Sequence, residues 1–132
     1  MMIGLDTNIL VRYITQDDKK QSAQATHLIE TLDAETLGFV SLISIIELVW
    51  VLESCYESDK EAIINVIDTL LKAKALVVEN AGVVQQALRV FSTTNADFSD
   101  CLIERSGHHA DCDYTATFDR KASRIDGMVF VG

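Results

Sequence analysis

Short apolar segments alternate with longer amphipathic segments along this chain. The apolar segments predict strands at Met2–Leu5, Leu37–Val40, Leu76–Val78, Tyr114–Thr117 and Val129–Val131. Segments with apolar residues at helical spacing predict helices at Thr7–Ile14, from Asp17 to about Leu32, at Leu42–Glu53, from Ser58 through Leu71, at Ala81–Phe91, from Asp97 or Ser99 to about Gly107, and at Asp119–Arg124. This alternation predicts an α/β fold, a three-layer α/β/α sandwich with a mainly parallel sheet of four to five strands.

The most apolar segment, SLISIIELVWVLE, contains an acid at its centre. It is too long for a strand, so Leu42–Glu53 is interpreted as a buried helix, and Glu47 is expected to be buried with it. A buried carboxylate costs free energy unless it is paired or bound to a metal ion. The nearest basic residues in the sequence are Lys20 and Lys60, so no obvious basic partner is available.

Three further acids follow or precede predicted strands. Asp6 follows the first strand, Asp119 follows the fourth, and Asp100 opens the helix that precedes the fourth. Because ligands of parallel sheets bind beyond the carboxyl ends of the strands, we expect these acids and Glu47 to form one site. Carboxylate oxygens are ligands for Mg²⁺ or Mn²⁺. Helix capping would explain each of the three aspartates equally well, and Glu47 could instead be an acid that reaches solvent.

The charge of the chain restricts the partners it can bind. There are 20 acidic and 11 basic residues, a formal net charge of −9. Nucleic acid would be repelled unless a basic patch or a bound cation reversed the local field. Arg12 could contact phosphate, or it could be a solvated surface arginine.

Length and composition predict one domain, residues 1–132, without a linker, because proline is absent. No apolar run is long enough to span a membrane, and no signal peptide is recognisable. The odd number of cysteines, without a CxxC pair, favours a reduced cytoplasmic protein. A zinc site is an alternative for Cys101, His108, His109 and Cys112, but their spacing is not typical of one.

Other phosphate-handling classes fit poorly. The glycine-rich dinucleotide and Walker motifs are missing. A receiver domain would need a lysine after a late strand, and a haloacid-dehalogenase-like phosphatase would need an acid where Asn8 stands.

Four segments together resemble a known family. LDTNILVRYI, SLISIIELVWVL, ADFSDCLIERSG and TATFDRKASR are similar, in order and spacing, to the four motifs of PIN-domain proteins, specifically the VapC-type toxins of bacterial toxin–antitoxin pairs. The chain departs from the family after the third motif, where ERSGHHADCD stands in place of a sequence that is often alanine-rich.

The resemblance implies a PIN-like domain with definite residue roles. Asp6, Glu47, Asp100 and Asp119 would be catalytic and would bind metal; Asn8 and Thr117 would support the site, and Asp97 would be a further acid at its rim or only a helix cap.

The resemblance also implies an activity and partners. The activity would be a Mg²⁺- or Mn²⁺-dependent endoribonuclease that cuts structured RNA such as tRNA or rRNA with an activated water. The partners would be a second copy of the chain, in a homodimer, and an antitoxin whose C-terminal segment occupies the acidic groove. A catalytically idle PIN-fold module that binds RNA or a partner is the alternative.

Overall fold

A computed structural model describes residues 1–132. The chain forms two compact units, Met1–Glu79 and Asn80–Gly132, and each is described by itself.

The first unit contains a three-stranded parallel sheet and four helices. Its elements are β1 (Met2–Gly4), α1 (Thr7–Thr15), α2 (Lys19–Glu30), β2 (Leu37–Val40), α3 (Leu42–Cys55), α4 (Lys60–Lys72) and β3 (Leu76–Val78). The sheet order is β1-β2-β3, with Ile3 opposite Gly38 and Val40 opposite Val78. The central strand β2 is therefore paired on both sides, and α1 and α3 begin just beyond the carboxyl ends of β1 and β2.

Polar side chains fix where the helices of this unit begin. Asp18 accepts a hydrogen bond from the Gln21 amide, and Ser41 accepts one from the Ser44 amide. The predicted start of α4 at Ser58 is wrong by one residue, because Asp59 caps the helix through the Ala62 amide at 2.9 Å. Each cap satisfies a backbone donor that has no partner inside its helix.

Apolar side chains from the sheet and from three helices form the interior of the first unit. Leu10, Val40, Ile45, Leu48 and Ile63 are fully buried. Burial of this kind, rather than helix propensity, supplies most of the stability of such short elements.

The second unit consists of two packed helices and a two-stranded parallel sheet. Its elements are α5 (Ala81–Thr93), α6 (Phe98–His109), β4 (Thr115–Thr117), a 3₁₀ turn (Ala122–Arg124) and β5 (Met128–Phe130). Phe91 of α5 and Phe98 of α6 meet edge to face, with ring centroids 5.7 Å apart. Thr115 pairs with Met128 and Thr117 with Phe130, so β4 ends just before Asp119.

The predicted α/β class and the parallel pairing of the strands are confirmed. The five strands are divided between a three-stranded and a two-stranded sheet. Several helices extend two residues past their predicted ends: α3 to Cys55, α5 to Thr93, and α6 past Gly107 to His109. Only a 3₁₀ turn forms within the predicted helix Asp119–Arg124. A glycine inside a helix costs only about 1 kcal/mol relative to alanine, so Gly107 does not have to end α6.

Candidate active site

The first acid, Asp6, lies between β1 and α1 and caps that helix. Its Oδ1 atom accepts a hydrogen bond from the Thr7 amide at 2.7 Å. The side chain is exposed, and its Oδ2 atom makes no hydrogen bond within the protein. Asp6 is therefore a helix cap with one carboxylate oxygen left available for a ligand.

Glu47 lies on α3 and is held by Thr7. The Thr7 hydroxyl donates a hydrogen bond to Glu47 Oε1 at 2.9 Å, and Thr7 itself is only 8% exposed. Sequence reasoning did not single out Thr7. The feature of the sequence that could have indicated Thr7 is a hydroxyl residue in the first helical turn, directly after an acid.

The predicted burial of Glu47 is wrong. Its side chain is exposed, and so are Ile43, Ile46 and Trp50, with exposed fractions of 70%, 38% and 64%. The helix buries one face, which includes Ile45 and Leu48, and leaves its other apolar side chains at the surface. Burial therefore gives no reason for a metal at Glu47, whereas its hydrogen bond to Thr7 next to Asp6 does connect it to a second acid.

Asp6 and Glu47 line the same cleft in the first unit. This cleft has a volume of about 380 Å³ and is formed by residues of α1, of α3 and of the segments that flank them, namely Asp6, Thr7, Asn8, Val11, Arg12, Glu47, Val51, Cys55 and Tyr56. The structure thus brings together two of the predicted acids and Asn8, which was predicted to support them.

Arg12 of this cleft is tied to its own unit. Its Nη1 atom lies 2.8 Å from Asp17 Oδ1, and its Nε atom donates to Gln21 Oε1 at 2.9 Å. The Tyr56 hydroxyl donates to the other oxygen of Asp17. Hydrogen bonds from Tyr56, Thr15 and Arg12 lower the pKa of Asp17 to about 2. The guanidinium charge is therefore largely neutralised by an ionised carboxylate.

Three acids of the second unit interact with one another. Asp97 is the N-cap residue of α6, and Asp100 lies in the first turn of that helix. Burial raises the pKa of Asp100, and the negative charges of Asp97 and Asp119 raise it further, whereas Lys121 lowers it. Like charges raise a carboxyl pKa when their repulsion is not compensated. This environment would favour a cation.

Asp119 is fixed by the turn that follows β4. Its Oδ1 atom accepts hydrogen bonds from the backbone amides of Lys121 at 2.8 Å and of Ala122 at 3.3 Å. Its own amide donates to Thr117 Oγ1 at 3.0 Å, which is the contact expected of a supporting residue. Asp97 makes no capping bond; its Oδ1 atom lies 3.4 Å from Lys121 Nζ.

The candidate acids of each unit offer oxygen donors, the ligand type that a hard divalent cation prefers. Asp6 and Asp119 each retain one carboxylate oxygen that has no hydrogen-bond partner in the protein. The negative charges of Asp97 and Asp119 help to raise the pKa of Asp100, and a bound cation would relieve this repulsion. No group of three or more His, Cys, Asp or Glu side chains is arranged so that it could hold a metal ion. Of the zinc alternative, Cys101 is buried, whereas His108, His109 and Cys112 are exposed.

The buried acid of this protein is Glu104, which sequence reasoning missed. It is 3% exposed, and its two carboxylate oxygens accept hydrogen bonds from the neighbouring Arg105 at 2.6 and 2.8 Å. Gly127, at φ +93°, packs against this carboxylate. The adjacent Arg105 could have indicated that Glu104 is paired and buried. It was a weak indication, because neighbouring residues on a helix do not normally face each other.

Comparison with known proteins extends these observations to the whole chain. The PIN domain family matches residues 3–128. The chain belongs to the PIN domain family. It is also 30% identical, over 98 residues, to a VapC ribonuclease of Aquifex aeolicus (strain VF5), and the matched region covers 74% of this chain and 73% of that protein.

The family assignment confirms the resemblance seen in the four motifs. The PIN domain match includes every predicted site residue, from Asp6 to Asp119, and most of both units. The assignment of a single domain to residues 1–132 stays a prediction. None of the helices has both the length and the apolar character needed to cross a membrane.

Proposed function

We propose that this PIN-domain chain is a divalent-metal-dependent endoribonuclease, the toxin of a toxin–antitoxin pair, and that it hydrolyses phosphodiester bonds in structured RNA such as tRNA or rRNA. The observation that carries the proposal is the pairing of Asp6 with Glu47 through Thr7 in one cleft, in a chain that belongs to the PIN domain family. With RNA as its substrate, we expect the protein to act in the cytoplasm.

Asp6, Glu47, Asp100 and Asp119 are the proposed metal ligands, and Mg²⁺ or Mn²⁺ is the proposed ion. Support comes from the neighbouring negative charges that raise the pKa of Asp100, which Lys121 offsets only in part, and from the oxygens of Asp6 and Asp119 that have no protein partner. The proposed supporting residues are Asn8, Thr117 and Asp97. Thr117 accepts the Asp119 amide, and Asp97 lies beside Lys121.

The mechanism requires no nucleophilic side chain. A divalent cation would supply the positive charge that activates a water and stabilises the charge of the leaving 3′ oxygen. The residues of the chain orient the acids: Thr7 fixes Glu47, the first turn of α1 fixes Asp6, and the turn after β4 fixes Asp119. Acids held in place by backbone and hydroxyl donors need little reorganisation during the reaction.

The proposed protein partners are a second copy of the chain and a VapB-like antitoxin. The net charge of −9 favours an antitoxin segment that carries arginine or lysine, because a basic side chain could neutralise the acids in place of a metal ion. The C-terminal segment of the antitoxin is the part proposed to block the acidic groove.

The activity can be tested with the purified chain, freed of any partner. Total tRNA and rRNA fragments are incubated with Mg²⁺ or Mn²⁺, with and without EDTA. Cleavage is expected with metal alone and is expected to fall at least about 100-fold in Asp6→Asn, Glu47→Gln and Asp100→Asn. Glu61→Gln is the matched control, since it removes one exposed acid from α4 and should cleave normally.

Binding of Mn²⁺, followed by electron paramagnetic resonance, gives a readout that does not depend on turnover. The three site variants should bind Mn²⁺ more weakly than the wild type, and Glu61→Gln should not. Cleavage that persists in EDTA and in the variants would refute the metal mechanism. Binding of RNA or antitoxin without any cleavage would establish the idle module instead.

A further inference from the structure

A second cleft lies in the second unit, between the loop that joins α5 to α6 and the 3₁₀ turn. It has a volume of about 200 Å³ and is lined by Thr94, Asn95, Ala96, Lys121, Arg124 and Ile125. Two of these residues are cations and none is an acid. This is unusual for a chain in which acids outnumber bases by 20 to 11.

The two cations have hydrogen-bonding capacity to spare. The Arg124 side chain makes no hydrogen bond or ion pair, and Lys121 has one long contact, at 3.4 Å, with the exposed Asp97. The other arginines near acids or rings are already engaged: Arg105 pairs with Glu104, and Arg120 lies 4.4 Å from the Phe130 ring centroid.

The cleft is built on ordered backbone rather than on a loose surface segment. Asp119 Oδ1 accepts the amides of Lys121 and Ala122, and the Ile125 amide donates to the Ala122 carbonyl at 3.0 Å. On the opposite wall, the Thr94 hydroxyl donates to the Val90 carbonyl at 2.8 Å. The turn that fixes the proposed metal ligand Asp119 therefore also fixes the position of Lys121.

Size and chemistry indicate an anion smaller than a whole nucleotide. Pockets that enclose drug-sized ligands have volumes of about 300 to 1,000 Å³, so a cleft of about 200 Å³ suits a phosphate group better than a base. Lys121, Arg124 and the side-chain amide of Asn95 supply donors from both walls. Arginine and lysine are the usual ligands of backbone phosphates.

We propose that this cleft, with Lys121 and Arg124 as its ligands, binds a backbone phosphate of the RNA beside the phosphodiester that is cut. The proposal rests on the ribonuclease function proposed above. A chain with a net charge of −9 repels RNA, so it needs a local positive site to hold its substrate, and this cleft would provide one.

RNA binding, separated from cleavage, tests this cleft. All variants are made in a Glu47→Gln background, and their affinity for total tRNA is measured at several salt concentrations. Lys121→Gln combined with Arg124→Gln should weaken binding on the order of tenfold, and the slope of log affinity against log salt should become shallower by about 1.5 to 2. The charge-keeping pair Lys121→Arg and Arg124→Lys should retain most of the affinity.

The matched control is Lys74→Gln combined with Arg89→Gln. It removes the same two charges from exposed positions that do not line the cleft, and it should change the slope much less. Thermal unfolding must show that both double variants are folded. Equal losses in the two double variants would overturn the proposal, because the effect would then come from net charge alone.

Cleavage kinetics with Glu47 intact separate this proposal from the ribonuclease proposal. The cleft variant should raise KM about tenfold and change kcat less than about threefold, since it removes binding and not chemistry. If the wild type cleaves but the cleft variant matches the control in KM and slope, the cleft proposal fails and the nuclease stands. If the wild type binds RNA through the cleft without cleaving it, the nuclease proposal fails. Loss of antitoxin binding with RNA binding unchanged would assign the cleft to the protein partner and overturn the proposal.

Discussion

The hydroxyl of Thr7 is the one side-chain group seen to connect Glu47 with the segment that carries Asp6, and replacing it tests the candidate site directly. Thr7→Val keeps the β-branched shape and removes the donor 2.9 Å from Glu47 Oε1. The side chain is 8% exposed, so water reaches the vacated position poorly from the Thr7 side.

The expected loss of stability is small, and the expected loss of activity is larger. A hydrogen bond to a charged group contributes about 1.5 to 3 kcal/mol, but the exposed Glu47 can find water instead, so about 1 kcal/mol is expected here. The added methyl group of valine offsets part of that loss through burial. Freed from Thr7, the Glu47 side chain regains rotamer entropy worth up to about 1.5 to 2 kcal/mol, which corresponds to a fall in cleavage rate of up to roughly 10- to 30-fold.

The assay combines urea unfolding with RNA cleavage. Thr7→Val, Glu47→Ala and the double variant form a cycle whose coupling free energy should be about 1 kcal/mol. Thr69→Val is the control: it removes a hydroxyl that bonds the Asn65 carbonyl on α4, and it should leave cleavage unchanged. A coupling below about 0.3 kcal/mol, together with normal cleavage by Thr7→Val, would refute the positioning role.

Three further outcomes are expected. Gly127→Ala should lower the free energy of unfolding by at least about 2 kcal/mol in urea, because its φ of +93° disfavours alanine and the new methyl group would overlap the buried Glu104 carboxylate; a loss under about 0.5 kcal/mol would contradict this. In the absence of metal, Asp100→Asn should raise Tm at pH 7 but not at pH 3, because burial and neighbouring charges raise the pKa of Asp100, so that its ionisation opposes folding. An equal Tm shift at both pH values would contradict this. Tyr56→Phe should destabilise the fold near neutral pH, and its difference from the wild type should shrink as pH falls from about 4 through about 2, where Asp17 takes up a proton in the folded state; a pH-independent difference would count against the Tyr56–Asp17 hydrogen bond.

Much of the fold could be predicted because strands and helices differ in their apolar spacing. Leu37–Val40 and Leu76–Val78 have the predicted bounds, and α5 begins at Ala81 as expected. The end of α6 and the turn after β4 could not be predicted as well. Glycine at 107 only weakly opposes a helix. Asp119 Oδ1 accepts the amides of Lys121 and Ala122 as a helix cap does, but the chain becomes extended at Ile125, so only a 3₁₀ turn forms.

The candidate site shows a different limit. Motif order proposed four acids, but the apolar pattern predicted the wrong burial for Glu47, which lies at the surface, and did not indicate that Glu104 is buried. An apolar helix can have more apolar positions than its core can accommodate, and the sequence does not say which face is turned inward. The link through Thr7 depends on a contact between residues 40 positions apart, which local patterns do not encode.

Asp6 and Asp119 each use one carboxylate oxygen to bind backbone amides, and this has a consequence for which residues these positions can accept. Glutamate preserves the charge, but its extra methylene carries the carboxylate past the amides, and loss of a cap costs about 1 kcal/mol. Asparagine preserves the length and the acceptor oxygen but removes the charge. At both positions, glutamate keeps the charge but loses the hydrogen bonds to the backbone amides, whereas asparagine keeps these hydrogen bonds but loses the charge. Aspartate alone meets both demands, so the geometry of the main chain restricts these two positions as strongly as the proposed chemistry does.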